Sequence, residues 1–319
     1  MIISPEVLTI YIIDAIFVLF ASVAFVISVR IVKNYDVNAT TALQYELEKK
    51  SYLVATIIRC LFYIKVPFFL FFIFILNNIS SILPGAMCGA GVVNSSSAAV
   101  PLLFLKLLNS YLFAYWILLD KDDMSIESQP YMKQKFFLYL LFYLLLIAEI
   151  YLEFSMFLNI DVTSVVDCCG VIFSHTDGSY MAQFFGLPAS FYITLFYGNF
   201  ALLLLSYLVK SRYIFALLNL IFIIVALLSL IAFFGIYIYE LPTHHCPFCL
   251  LQSEYNYVGY VLYSLLFLGT FNGVVIGLHL FSVDVQKEKM KYSLIFLMLY
   301  VSIISYYFLG YYLKNGVWL

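Results

Sequence analysis

A pair of cysteines separated by two residues is the motif whose spacing is best suited to chemistry, Cys246-Pro247-Phe248-Cys249. The spacing brings two sulfur atoms within disulfide reach, and it is shared by redox-active pairs and zinc sites. We predict that the motif lies at the start of a spanning helix, where the helix N-terminus stabilises a thiolate and lowers its pKa. The motif therefore indicates either thiol-disulfide exchange or metal binding.

Other soft donor residues fall in comparable loops. They are Cys88, Cys168, Cys169, His175, His244 and His245. Adjacent cysteines rarely bond each other, so we expect Cys168 or Cys169 to pair with a distant cysteine. Cys60 lies inside a predicted helix, where we expect a small buried apolar residue.

Three chemical interpretations of these residues remain open. In the leading one, Cys246 and Cys249 form a redox-active pair. In the second, the cysteines form structural disulfides that hold outer loops together. In the third, a metal site uses His244, His245, Cys246 and Cys249 together with Met87 and Cys88, because these soft donors suit copper or zinc.

The composition requires a membrane as the solvent for most of this chain. Of 319 residues, 65% are hydrophobic and 11% are charged, and no soluble domain could cover so much apolar surface. The net charge of −2 provides no basic face for nucleic acid, which excludes that class of partner. The N-terminus lacks the basic region and short apolar stretch of a cleavable signal peptide, so we expect it to be retained.

Eight apolar stretches are long enough to span a bilayer, which takes roughly 20 residues. They lie at approximately 7–30, 52–77, 98–119, 136–160, 183–209, 213–239, 257–282 and 292–313. The loops between them are too short for a separate soluble domain. We therefore predict an all-α, polytopic transmembrane helix bundle that forms a single integral membrane domain, 1–319.

The distribution of basic residues predicts the orientation. Twelve of the 16 basic residues lie in one set of alternate loops. They are Arg30, Lys33, Lys49, Lys50, Lys121, Lys133, Lys135, Lys210, Arg212, Lys287, Lys289 and Lys291. The other loops, 78–97, 161–182 and 240–256, contain none. By the positive-inside rule, both termini and the three cysteine-bearing loops face the non-cytoplasmic side, and we predict a plasma membrane location.

An internal similarity suggests a duplicated architecture. Segments 83–93 and 241–251 align without gaps, and the alignment matches leucine, proline and cysteine, the last being Cys88 and Cys246. Each segment follows the second helix of a set of four. This pattern favours two parallel four-helix halves, 1–160 and 183–319.

Six charged residues fall inside the apolar stretches, Asp14, Arg59, Lys65, Lys106, Glu149 and Glu153. A charge at the bilayer centre costs about 2.5–3.5 kcal/mol on insertion scales, so partners are expected. Lys65 and Glu149 lie at similar depth and are predicted to pair. Two interpretations of these six charged residues are open. In the functional one, they form a proton or ion path, or a polar pocket for a quinone or substrate head group. In the structural one, they form ion pairs, with Arg59 extending its charge to the interface.

The stretch CPFCLLQ, residues 246–252, leads into a predicted spanning helix from the outer side. It resembles the quinone-linked membrane thiol-disulfide oxidoreductases of the DsbB and vitamin K epoxide reductase-like families. That resemblance implies a four-helix bundle with a CxxC beside a quinone. It also implies a second cysteine pair that exchanges electrons with a thioredoxin-like protein outside the membrane, a role for Cys168 and Cys169, or for Cys88 with one of them.

The leading functional hypothesis is therefore a membrane thiol-disulfide oxidoreductase that passes electrons from Cys246 and Cys249 to a quinone. Exposure at the helix start favours Cys246 as the sulfur that faces the partner. One alternative is a transporter or assembly factor for copper or another soft metal. The other is a non-catalytic membrane subunit of a larger complex, in which the intramembrane charges are assembly contacts.

Overall fold

The computed structural model describes residues 4–36, 39, 41–126, 129–166, 186–278 and 283–319. Within these residues, eight helices are long and apolar enough to cross a membrane, as predicted. They are α1 (Pro5–Asn34), α2 (Ala42–Ser80), α3 (Ala99–Met124), α4 (Met132–Asn159), α5 (Ala189–Leu208), α6 (Arg212–Tyr239), α7 (Val258–Leu278) and α8 (Val283–Asn315). The prediction of an all-α membrane bundle is confirmed.

Two helices extend well beyond their apolar stretches. Helix α2 begins ten residues before the predicted start at 52, and Thr41 caps it by accepting a hydrogen bond from the Gln44 amide at 3.4 Å. Helix α8 begins nine residues before the predicted start at 292. Glutamate, lysine and glutamine favour helix as strongly as apolar residues do, so a helix can continue into water where hydropathy has already fallen.

The chain forms two compact units, each with four spanning helices. Unit 1 comprises Met1–Pro84 and Val92–Val166, and unit 2 comprises Gly85–Gly91 and Asp167–Leu319. In unit 1, α1 packs on α2 and α4, and α3 packs on the same two helices. Phe62 and Phe113 stack there at 4.2 Å between ring centres, and the Tyr139 hydroxyl donates to the Ala21 carbonyl at 2.8 Å.

In unit 2, helix α7 lies between α6 and α8 and presents glycines to both. Gly269, Gly273 and Gly277 recur at every fourth position and so share a side of the helix. A Cβ at Gly273 would lie 2.1 Å from the Asn219 side chain of α6, and one at Gly269 would lie 2.6 Å from Leu297 of α8. Small residues at this spacing allow helices to approach closely where lipid provides no hydrophobic drive for association.

Helix α6 contains a π-helical turn, Leu230–Phe234, before its last α-helical residues, Gly235–Tyr239. It ends at Glu240, which adopts a left-handed conformation with φ of 53°. A π-helical turn interrupts the regular hydrogen-bond ladder, and such turns are frequent at functional sites. This end of α6 leads directly into the cysteine motif.

Candidate thiol site

Three cysteines of unit 2 form a compact sulfur cluster, which we call the thiol cluster, Cys88, Cys246 and Cys249. The three sulfur atoms lie within 4.8 Å of one another. The Sγ atoms of Cys88 and Cys246 are 3.5 Å apart, compared with about 2.05 Å for a disulfide bond. The Cys88 and Cys246 sulfurs would therefore have to approach each other by roughly 1.5 Å to form a bond.

The CxxC motif adopts a tight turn. The Cys249 amide donates to the Cys246 carbonyl at 3.4 Å, and the Leu251 amide donates to Phe248 at 3.1 Å. Two 3₁₀ turns follow, Cys249–Leu251 and Ser253–Tyr255. The prediction that the motif begins a spanning helix is wrong, because α7 begins only at Val258. A helix dipole at the start of α7 therefore does not act directly on these sulfurs.

Two tyrosines hold the backbone of the motif. The Tyr239 hydroxyl, at the end of α6, donates to the Cys246 carbonyl. The Tyr263 hydroxyl, on α7, donates to the Pro247 carbonyl at 2.9 Å. Buried carbonyl groups require such donors, so α6 and α7 together fix the position of the motif.

His245 connects the motif to the π-helical turn. Its Nδ1 lies 2.9 Å from the Ile231 carbonyl, inside Leu230–Phe234. His245 is 5% exposed, and this contact uses one of its two ring nitrogens. The π-helical turn therefore provides a backbone anchor for the residue preceding Cys246.

Cys88 is held against the motif through its own backbone segment. The Gln252 side chain donates from Nε2 to the Met87 carbonyl at 2.9 Å. Gly85, at the start of this segment, has a φ of 85°, a conformation that glycine adopts without a steric penalty. Cys88 thereby joins Cys246 across 158 positions of sequence.

All three sulfur-bearing residues are buried. Cys88, Cys246 and Cys249 are 0%, 1% and 5% exposed. The expectation that exposure makes Cys246 the partner-facing sulfur is wrong, because Cys246 is buried and its sulfur lies against that of Cys88. A thiolate that attacks Cys246 must therefore be a neighbouring sulfur of the chain, unless a movement of the chain first exposes Cys246.

His244 provides a polar atom next to the motif. Its Nε2 is buried and has no hydrogen-bond partner among the described residues. Its ring packs edge-on against Tyr239 at 4.4 Å. Burial lowers the pKa of His244 because it disfavours the charged ring. A neutral imidazole near the thiol cluster is thus available to donate to, or accept from, a ligand.

Replacing Gly259 with alanine is expected to lower the free energy of unfolding by about 1–3 kcal/mol. The new methyl group would lie 2.9 Å from the Leu250 carbonyl carbon and oxygen, so α7 and the turn that contains Cys249 would have to separate. The measurement is thermal or denaturant unfolding of the full chain in detergent. The matched control is Gly310→Ala on α8, where nothing lies within 4 Å of the added carbon and the change should be neutral or stabilising by up to ~1 kcal/mol. Equal losses in both variants would contradict the close approach at Gly259.

The charges predicted inside the membrane form a continuous network in unit 1. Lys65 Nζ lies 2.9 Å from Asp14 and 3.3 Å from Glu149. Lys106 Nζ lies 2.9 Å from the same Glu149 and 2.6 Å from Glu153. The predicted Lys65–Glu149 pair is confirmed, but it is one link in a chain of five charged groups rather than an isolated pair.

Arg59 belongs to a second network. It pairs with Asp120 at 2.6 Å, and Lys135 lies 2.9 Å from Asp120 and 2.7 Å from Asp123. The expectation that Arg59 has an ion-pair partner is therefore confirmed, and its side chain remains 29% exposed; extension of its charge to the membrane interface stays a prediction. Cys60 is exposed rather than buried, because its side of α2 points away from the other helices of unit 1.

Several predicted site residues lie outside the described residues. They are Cys168, Cys169 and His175. Whether Cys168 or Cys169 pairs with another cysteine therefore stays a prediction. The residues proposed as a pocket for a quinone, Lys65, Lys106, Glu149 and Glu153, belong to unit 1, and the thiol cluster belongs to unit 2.

Sequence reasoning missed residues that complete both sites. Asn109 donates to Glu149 at 2.6 Å, and its position three residues after Lys106 on the same helix face was an available signal. Tyr239 and Tyr263 hold the cysteine motif, but the chain has 28 tyrosines, and nothing in the local sequence of these two distinguishes them from the others. The glycine spacing on α7 was visible and indicates a packing face.

The fold and the charge distribution define a class: this chain is a polytopic α-helical integral membrane protein with eight candidate spanning helices among the described residues. Comparison with protein-family models, with curated proteins and with solved structures found no match.

Proposed function

We propose that the protein is a membrane thiol-disulfide oxidoreductase in which Cys246 and Cys249 are the pair that is oxidised and reduced. The observation that carries this proposal is the 3.5 Å separation of the Cys88 and Cys246 sulfurs beside a CxxC turn. A third sulfur at this distance allows exchange by direct attack, which a structural disulfide does not need.

The exchange proceeds by successive thiolate attacks. The Cys88 thiolate attacks the Cys246 sulfur of a Cys246–Cys249 disulfide, a new S–S bond forms, and Cys249 leaves as a thiolate with the electron pair. A thiolate of a dithiol protein outside the membrane then attacks the Cys88 sulfur, and Cys246 leaves as a thiolate. The second thiol of that protein attacks the protein's own sulfur in the mixed disulfide, and Cys88 leaves as a thiolate, so two electrons have passed from the external dithiol to Cys246 and Cys249. If Cys168 or Cys169 attacks Cys88 instead, the external dithiol reduces the resulting disulfide by the same two attacks.

A quinone in the membrane is the proposed electron acceptor; when bound, it would take up the two electrons and two protons that are released as the Cys246–Cys249 disulfide re-forms. The residues near the thiol cluster fit such a group. The Nε2 of His244 is an unsatisfied buried atom that suits a carbonyl oxygen. The aromatic rings of Tyr239 and Tyr255, 4.7 Å apart, provide an apolar wall beside it. These residues would orient the group and exclude water.

A soft-metal site is the second candidate, and the three-sulfur arrangement specifically favours it. Tetrahedral zinc–thiolate bonds of about 2.3 Å place sulfurs about 3.8 Å apart, and the three sulfurs here lie within 4.8 Å of one another. Cys88 would then provide a ligand, and His244, whose buried Nε2 has no hydrogen-bond partner among the described residues, would be a candidate for the fourth. His245 is a poorer ligand than predicted because its Nδ1 contacts the Ile231 carbonyl.

The two candidates are separated by measuring the thiol state and the metal content of the purified full chain. Under the redox proposal, the Cys246–Cys249 disulfide opens under mild reductant, at a potential well above the roughly −300 mV or lower of structural disulfides, and added quinone re-forms it. Under the metal candidate, the cysteines are reduced and carry stoichiometric zinc or copper that a chelator removes. A disulfide that resists reduction, and whose loss changes only stability, would contradict both.

We also propose that the thiol cluster faces the non-cytoplasmic side of a plasma membrane, as the cation distribution indicates. The test uses Glu254→Cys, in an exposed turn near the motif, and Lys121→Cys, exposed near the end of α3. An impermeant maleimide applied to intact cells should label the first variant, and the second only after the membrane is opened, each measured against the unmodified chain. The reverse pattern would overturn the orientation.

A further inference from the structure

Among the described residues of unit 1, the network that joins Lys65 and Lys106 contains one more carboxylate than it has cations. Its acidic members are Asp14, Glu149 and Glu153, and its basic members are Lys65 and Lys106. With every group ionised, the network would carry one net negative charge. All five side chains are 5% exposed or less, and an uncompensated charge in such surroundings is strongly disfavoured.

Glu153 is the carboxyl with the least compensation. Glu149 is in contact with both lysines and with Asn109, whereas the described ion pair of Glu153 involves only Oε2 and Lys106. Its Oε1 is buried and has no hydrogen-bond partner among the described residues. The side chain is 0% exposed, so water outside the protein does not solvate this oxygen.

The network to which Glu153 belongs draws on all four long helices of unit 1, α1 to α4. Helix α1 contributes Asp14 and the Tyr11 hydroxyl, which is also buried without a hydrogen-bond partner among the described residues. The Tyr11 ring packs on Phe154, which directly follows Glu153 on α4, and on Phe157, about one helical turn after Glu153. Helices α2 and α3 contribute Lys65 and Lys106.

A small cavity adjoins the network and is lined by Lys65, Lys106, Asn109 and Glu149 among others. It offers about 10 Å³ to the centre of a water molecule, which is close to the minimum that one water requires. The buried Asn109 Oδ1 has no partner among the described residues and could accept from that water. A water in this cavity would lie beside Glu149 and Lys106, and Lys106 in turn contacts Glu153.

We propose that unit 1 contains an intramembrane proton-binding site, with Glu153 as the residue that holds the exchangeable proton. One bound proton makes the five-group network neutral. The nearby second network supports this interpretation by contrast, because its two cations, Arg59 and Lys135, match its two carboxylates, Asp120 and Asp123. A site that gains and loses a proton in this position is suited to proton-coupled transport or conformational change. It does not depend on the thiol chemistry of unit 2.

The first test is infrared spectroscopy of the full chain reconstituted in lipid at neutral pH. The carbonyl stretch of a protonated carboxylic acid should be present in the wild type and absent in Glu153→Gln. It should also be lost in Glu149→Gln, because two carboxylates then match two lysines and Glu153 ionises. The control is Glu254→Gln, at an exposed position, which should retain the band. A wild type without the band, or a band that survives in Glu153→Gln, would overturn the proposal.

The second test needs no variant and therefore does not depend on folding of Glu153→Gln. A lipid-soluble carbodiimide reacts with protonated carboxyl groups, and peptide mass spectrometry locates the adduct. Glu153 should be labelled at least ~10-fold more than Glu149, because a carboxyl group that binds its proton ten times more tightly has up to about ten times the protonated fraction. Equal labelling of the two would contradict the assignment. Protection of Glu153 by sodium ions at constant pH would show that the site takes a metal cation instead.

Discussion

Replacing Cys249 with serine is expected to abolish quinone-linked oxidation of a dithiol substrate and to leave the chain with a Cys88–Cys246 disulfide. Without Cys249, the leaving sulfur of the first exchange step is lost, so the cycle cannot be completed. The Cys246 sulfur still lies 3.5 Å from Cys88, and oxidation should join these two. Turnover is measured as quinone reduction, and the disulfide is located by mass spectrometry of the unreduced protein.

The matched control for this prediction is Cys60→Ser. Cys60 is exposed on α2 and lies in unit 1, outside the thiol cluster, so both turnover and disulfide pattern should be unchanged. Retained turnover in Cys249→Ser would show that the CxxC pair does not carry the reaction. Failure of Cys88 and Cys246 to bond under oxidation would contradict their direct exchange even if turnover is lost.

Replacing Lys106 with methionine is expected to lower the free energy of unfolding by about 3–5 kcal/mol, the usual cost of removing one partner of a buried ion pair. Lys106 lies 2.9 Å from Glu149 and 2.6 Å from Glu153. Its ammonium group also lies over the Phe72 ring, 4.4 Å from the ring centre, so the change removes a cation–π contact as well. Unfolding of the full chain in detergent, followed by heat or denaturant, measures the loss.

Two comparisons separate the charge effect from a general effect of substitution. Lys314→Met removes a lysine that pairs with Glu240 while both side chains are half exposed or more, and it should cost less than ~1 kcal/mol. In the double variant Lys106→Met, Glu149→Gln, one stranded carboxylate is gone, so the loss should be smaller than the sum of the two single losses. Strict additivity would mean that Lys106 and Glu149 do not interact.

The sequence alone determined the solvent and the set of spanning helices. Apolar stretches of this length can satisfy their backbone groups in lipid only as helices, so hydropathy is enough to locate them. Their ends were less predictable. The starts of α2 at Ala42 and α8 at Val283 depend on helix propensity and capping in polar sequence, which a hydropathy window does not detect.

The sequence also identified which charged residues need partners, because the cost of a charge in lipid holds whatever the fold. It matched Lys65 with Glu149 from depth along the helices alone. Depth is one coordinate only, so it could not reveal that Lys106 contacts both Glu149 and Glu153. Which helices are neighbours, and hence the odd number of carboxylates around two lysines, was decided by the packing of unit 1.

The tertiary structure decided the composition of the thiol cluster. Local spacing made Cys246 and Cys249 a pair, since two intervening residues limit how far the sulfurs can separate. The addition of Cys88 could not be derived in this way, because 158 positions separate it from Cys246 and several loop cysteines were equally available to sequence reasoning. Burial of the three sulfurs likewise depends on side chains distant in sequence, and only the folded unit 2 brings those together around the motif.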